Sequence, residues 1–220
     1  MSSIQVQALG PRDAERYQHL RLRSLRESPE AFGTTYDEDL ALPIEVVAER
    51  LRAVRAPVGR VVVGGFVDDV LVGTAGCMQE HKRKSRHKAV IWGLYVAPEA
   101  RGRGIGRRLL EYLVREAHAW ADVDRLRVTV IERAHAARRL YAAMGFEPFG
   151  VEPDAFRQGD VRDTAIYLTR TIERATARDG PPVVSRRESG SARKLVMQAE
   201  SDGGRLRGEL SKGWTDGCAP

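Results

Sequence analysis

Apolar positions along the first 170 residues recur with two periods. Runs dense in β-branched residues, Arg60–Val67 (RVVVGGFV), Val70–Gln79 and Lys88–Val96 (KAVIWGLYV), predict three successive strands, the first two joined by a tight turn at Asp68-Asp69. Shorter strands are predicted at Ile4–Ala8, 126–131 and 164–169. Helical spacing sets Ile105, Leu109, Leu113, Ala117 and Trp120 on one stripe of a helix over 104–122. It also sets Tyr17, Leu20 and Leu25 on one side of a helix over 11–27, which begins with Pro11 where a first turn tolerates it. Two more helices are predicted over 43–55 and 134–144, the second closed by Gly145 as its C-cap. The order reads βααβββαβαβ.

The periodicity stops near residue 170. The segment 171–220 is rich in Gly, Ser, Arg and Glu and nearly free of aromatics, so a domain over 1–170 followed by a disordered polar tail is expected, with transient helix at most over 194–199 and 205–210. At 220 residues with 42% hydrophobic content, the chain suffices for one α/β domain and an appendage. No apolar run approaches the roughly 20 residues that cross a bilayer, and the start lacks a basic-then-apolar leader profile. A cytoplasmic protein without a membrane partner is therefore expected. Cys77 and Cys218 lie in regions of different composition, which argues against a disulfide framework or a zinc site, and no metal is expected. The formal charge of +6 rests on 31 Arg against 5 Lys, which suits phosphate or carboxylate ligands. Opposite charges are mixed through most of the chain, however, so nucleic acid is not an expected partner.

The charge matters most at one place. In Leu-Tyr-Val-Ala-Pro-Glu-Ala-Arg-Gly-Arg-Gly-Ile-Gly-Arg-Arg, residues 94–108, a strand gives way to glycines and arginines directly before a helix. The first turn of a helix leaves N–H groups unpaired and carries partial positive charge, so an anion placed there finds donors and field together. Gly102, Gly104 and Gly106 remove side chains from that approach, and Arg101, Arg103 and Arg107 add charge at its rim. A nucleoside triphosphate loop needs Lys-Ser or Lys-Thr after its last glycine, which is missing here. A dinucleotide fingerprint needs a third glycine where Arg107 stands.

Arg101-Gly-Arg-Gly-Ile-Gly106, after a strand ending Val96-Ala-Pro98, resembles the R/Q-x-x-G-x-G/A motif of the GNAT superfamily, the GCN5-related N-acetyltransferases. Ala137-Arg-Arg-Leu-Tyr-Ala-Ala-Met-Gly-Phe146 is similar to the same family's A-x-x-L-Y-x-x-x-G-F segment. The resemblance covers about residues 3 to 170. It implies an α/β (α+β) fold with a mixed, mostly antiparallel sheet and flanking helices. It also implies acetyl-CoA as cosubstrate and direct transfer to a primary amine of a small molecule or protein, by a monomer or homodimer. The strand over 91–96 should splay from its neighbour, with the Leu94 and Val96 backbones meeting the pantetheine arm. The pyrophosphate should lie on the amides from Arg101 through Ile105 to Arg107, and Tyr141 should protonate the departing thiolate.

Two departures from the family pattern accompany these matches. No carboxylate stands in 91–96, so the base is open among Glu132, Glu38, Asp39, His87 and water. Where the family often has an Asn contacting CoA, this chain has Ala134, with His135 beside it. A non-catalytic acyl-CoA sensor is the alternative reading. The 28–39 loop is expected to wall the acceptor site, with Phe32 and Tyr36 shaping a pocket and Glu38 and Asp39 drawing in a cation. The basic stretch His81-Lys-Arg-Lys-Ser-Arg-His-Lys88 is expected to be a solvated hairpin, or else a guide for an acidic substrate or the 3′-phosphate of CoA.

Overall fold

The computed structural model describes residues 3–54 and 58–173. Their elements are strands β1 (Ile4–Ala8), β2 (Arg60–Val67), β3 (Val70–Gln79), β4 (Lys88–Val96), β5 (Arg125–Ile131), β6 (Glu147–Gln158) and β7 (Val161–Thr171). The helices are α1 (Ala14–Glu27), α2 (Tyr36–Leu40), α3 (Ile44–Arg50), α4 (Ile105–Ala119) and α5 (His135–Ala143). The described residues form one seven-stranded sheet in the order β1-β2-β3-β4-β5-β7-β6. Every pairing is antiparallel except β4 with β5.

Strand alternation distributes the core over both faces. On β2, Val61 and Val63 join Ile105, Leu109, Leu113 and Ala117 of α4, all buried, on one face. Val62 and Phe66 meet Tyr17, Val47 and Leu51 on the other, where α1 and α3 pack. Each buried Val, Leu, Ile or Phe among them contributes about 1.5–3 kcal/mol of transfer free energy, which ties α4 firmly to the sheet.

Strands β1 to β4 fall where the apolar runs place them, and the structure corrects the reading at three places. The single final strand expected over 164–169 is the inner part of a long hairpin, β6–β7, turning at Gly159 with φ +59. β6 escaped notice because Pro148, Gly150 and Pro153 interrupt it. Its pairing slips at Pro148/Gly150 and again at Glu152/Phe156, so no period of two survives in its sequence. The loop expected over 28–39 contains a 3-10 turn, Pro29–Ala31, and the helix α2. Thr35 starts α2 with a capping box in which Glu38 reaches back to the Thr35 amide at 2.7 Å. Finally, the helix predicted over 43–55 ends at Arg50, after which Val54 bridges Arg60 in strand-like pairing.

β7 runs to Thr171, and Ile172 is buried with its amide donating to the Asp124 carbonyl at 2.7 Å. The rest of the expected tail, including 194–199, 205–210 and Cys218, lies outside the described residues. Among the described residues, no helix is long and apolar enough to cross a membrane, and no group of three or more His, Cys, Asp or Glu is placed to hold a metal ion.

Candidate active site

β4 and β5 pair for only part of their length. Lys88 to Ile91 run beside Arg125 to Val128, and from Trp92 onward β4 keeps only β3 as partner while β5 continues along β7. A bulge helps to bend β4 away. Two residues, Gly93 and Leu94, oppose the single Ala75, and Gly93 takes φ +64. The result is a fork in the sheet whose β4 arm has a free backbone edge.

The mouth of the fork meets the start of α4. Gly102 and Gly104 stand at φ +75 and +78, a left-handed conformation costly for residues with a Cβ, and a Cβ built on either would meet nothing within 4 Å. Gly104 is the N-cap, and the first turn of α4 carries no acidic residue. A cavity of about 360 Å³ therefore has one wall of β4 backbone, Leu94 to Val96, and another of glycine loop and helix start, Arg101, Gly102 and Gly104 to Arg107. Ala137 and Leu140 of α5 close it on one side and Phe32 on another.

Most of the residues singled out in sequence converge there. Leu94, Val96, Arg101, Gly102, Gly104, Ile105, Gly106 and Arg107 line the cavity, and Arg103 is exposed outside it. Arg101 donates from Nε to the Val96 carbonyl at 2.9 Å, which ties the loop to the strand. Arg107 pairs with Glu111 at 2.9 Å. Tyr141 follows cavity-lining Leu140 but is itself 4% exposed, packed edge-on against Phe146 with ring centres 5.5 Å apart. Burial pushes its hydroxyl above the ordinary tyrosine range. Ala134 caps α5 without a side-chain bond, and His135 is exposed.

The side chains proposed in sequence as bases sit elsewhere. Glu38 is spent on the α2 cap. Asp39 is buried between Arg21, at 2.7 Å, and Arg50, at 3.5 Å. Glu132 is exposed and lines none of the cavities described here. His87 precedes β4 at the end opposite the fork, as does the basic hairpin tip, and lies roughly 17 Å along the strand from Trp92, where the fork opens.

The carboxylate that does reach the fork is Glu30, which sequence reasoning passed over. It lies on the 3-10 turn Pro29–Ala31 and lines a narrow cavity of about 70 Å³ inside the fork, between Ile91 to Gly93 on β4 and Thr129 and Ile131 on β5. Through Phe32 this cavity adjoins the larger one. Through Glu30, Phe32, Gly33 and Phe156 it adjoins an outer cleft of about 430 Å³, bounded by the 29–37 segment and the β6–β7 hairpin. The only signal in the sequence was the Pro29 that opens the turn.

A second network braces the same region from α1. Tyr95, on β4, donates its hydroxyl to Glu27 Oε2 at 2.5 Å. Arg23 holds Glu27 at 2.7 Å and Glu99 in the turn before the glycine loop. The Tyr95 bond and then Arg23 lower the Glu27 carboxyl, while Arg23 brings Glu99 down to about 2. Burial first, then the bonded Glu27, raises the Tyr95 hydroxyl.

A mixed sheet forked at its one parallel pair, with a glycine-lined helix start at the mouth, is the architecture of acyltransferases. The profile of the acetyltransferase (GNAT) family matches residues 20–146, more than half of the chain, and the chain belongs to that family. Solved structures share the fold. A GNAT-family acetyltransferase of Streptococcus pneumoniae superposes with a TM-score of 0.64 at 20% identity, covering 77% of this chain and 100% of that one. The yncA protein of Salmonella typhimurium, solved with its cofactor acetyl-CoA, gives 0.63 at 18% identity over 80% and 98%. The ribosomal-protein-alanine N-acetyltransferase of Brucella melitensis gives 0.60 at 20% identity over 76% and 99%.

Proposed function

We propose that the protein transfers the acetyl group of acetyl-CoA directly to a primary amine, within a complex that holds both substrates. The observation that carries this reading is the one cavity in which the β4 edge from Leu94 to Val96, unpaired with β5 and bonded there, among the described residues, only at the Val96 carbonyl by Arg101, faces the glycine loop before α4. An extended amide-bearing arm finds strand partners along one wall, and a pyrophosphate finds N–H donors and helix field at the other, worth about 1–2 kcal/mol for a partly buried anion. Arg107 and Arg101 stand at the same mouth. The thioester carbon would then lie in the fork, reachable by an amine from the outer cleft.

In the transfer, the nitrogen lone pair forms the N–C bond as the C–S bond breaks toward sulfur. The departing thiolate resembles a thiol of pKa about 8.5, so proton donation helps modestly, and Tyr141 is the residue we assign to it. Thermal melts with acetyl-CoA and with ADP test the cosubstrate. A ligand at about 100 times its Kd adds about 2.7 kcal/mol, so acetyl-CoA should raise Tm by several degrees and well beyond ADP. No shift at saturation would overturn the reading. Release of free CoA thiol on adding a panel of amines then tests turnover.

A further inference from the structure

We propose that Glu30 receives the ammonium group of the acceptor, and that the acceptor is a compact primary amine whose apolar or aromatic body lies among Phe32, Tyr36 and Phe156. This rests on the acetyl-transfer reading and adds to it the acceptor's chemistry and the residue that selects it.

Besides Glu30, the charged groups around the outer cleft are engaged except Asp37, which is exposed in the first turn of α2. Arg26 donates to the Tyr36 hydroxyl at 2.5 Å and lies 4.2 Å over its ring. Asp163, 7% exposed, is held by Arg133 at 2.6 Å. Arg157 donates to the Gly159 carbonyl at 3.0 Å. Arg21, at the fork, is committed to Asp39 and Thr34 and stacks 4.6 Å over Phe32. Glu30 is half-buried and makes neither hydrogen bond nor ion pair among the described residues, although Arg133 feels its charge. A partly desolvated carboxylate without a partner favours a cation, and a cation bound there sits where the fork and the outer cleft meet. That junction is where an attacking nitrogen must stand.

Aromatic side chains supply the rest of the wall. Phe32, Tyr36 and Phe156 all line the outer cleft, and the guanidinium groups of Arg21 and Arg26 each pin one ring from one face. Such a wall suits an apolar body next to the nitrogen better than a second cation or an acid. Its place where the fork and the outer cleft meet lets Glu30 hold and orient the ammonium, while the proton passes to solvent through the outer cleft.

The test is isothermal titration of the full chain, alone and saturated with desulfo-CoA, using 2-phenylethylamine and its uncharged isostere 2-phenylethanol. The amine should bind about 10-fold tighter than the alcohol, the worth of a charge-assisted bond. Glu30→Gln should bring the ratio close to one while keeping desulfo-CoA stabilisation, and Phe156→Ala should weaken both ligands alike. An amine-to-alcohol ratio near one in the unaltered protein, or one that survives Glu30→Gln, overturns the proposal. So does tighter binding by an alanyl peptide amide than by 2-phenylethylamine, which would make a protein amine the acceptor. A missing desulfo-CoA effect with the ratio intact would instead sink the acetyl-CoA reading and leave the ammonium site standing.

Discussion

Arg23 grips Glu99 with both ends of its guanidinium, Nη1 to Oε1 at 2.7 Å and Nη2 to Oε2 at 2.8 Å. The pair joins the C-terminal half of α1 to the turn that feeds the glycine loop, and through Glu27 and Tyr95 the same arginine reaches β4. One side chain therefore holds the strand arm and the helix-start arm of the cavity in register. Glu99→Gln should raise the Kd for acetyl-CoA by roughly 2- to 5-fold, the range an exposed pair supports, with kcat kept.

The same pair sets a pH dependence. The folded Glu99 carboxyl titrates at about 2, below the ordinary carboxylate near 4.3, so the unfolded chain binds the proton more readily. Its contribution to stability is complete above about pH 4.3 and is lost as pH falls toward 2. Glu27, lowered as well, adds to the same trend. Urea midpoints of the unaltered protein and of Glu99→Gln should differ near neutral pH and converge through that acid window. A difference that grows on acidification would refute the assignment.

Gly104→Ala isolates backbone strain from packing. The site has φ +78 and open space around the missing Cβ, so the cost is that of a left-handed conformation, about 1–2 kcal/mol, with acetyl-CoA affinity falling because the amide fan is disturbed. Gly106→Ala has an ordinary φ, and its Cβ would press on Leu140 Cδ2 at 3.1 Å, the end of a flexible side chain, with Val96 Cγ2 in ordinary contact at 3.8 Å. It should cost less in Tm yet narrow the cavity. Paired melts with and without acetyl-CoA separate the two effects.

The glycine-loop side of this cavity was legible in sequence because its determinants are local. Gly102, Gly104 and the α4 stripe declare a strand-to-helix anion loop within twenty residues, and the apolar runs of β2 to β4 are dense enough to read singly. The outer cleft was not legible, since it is assembled from distant and irregular pieces. Glu30 matters only because β5 leaves β4 after Val128, and Phe156 only because a twice-slipped strand folds back along β7. Asp39 looked available in sequence. In the fold it is 4% exposed and neutralised by Arg21 and Arg50.

Cys77 provides a check on direct transfer. It is fully buried in β3 between Val61 and Ile91, and burial pushes its thiol far above the ordinary range. An acetyl-enzyme intermediate on Cys77 would need its thiolate. N-ethylmaleimide should leave Cys77 unmodified in the native protein and label it in denaturant, as read by peptide mass mapping. Rapid native labelling that abolishes transfer would reopen the covalent route.

Tyr141 stands beside the cavity and is nearly sealed, with its ring against Phe146. A buried hydroxyl whose pKa is raised stays protonated to higher pH than a free tyrosine, so as proton donor it contributes no falling limb to kcat below about pH 10. Removing the hydroxyl removes the donor but barely changes the packing. Because a thiolate leaves without much help, Tyr141→Phe should lower kcat by about 10- to 100-fold, at or below the low end of general-acid effects, while the acetyl-CoA stabilisation in a thermal melt stays the same. A purely packing role predicts that kcat and Tm both hold, because the ring stays against Phe146. Measuring both on one preparation, with kcat followed up to about pH 9.5, distinguishes a proton donor from a core aromatic.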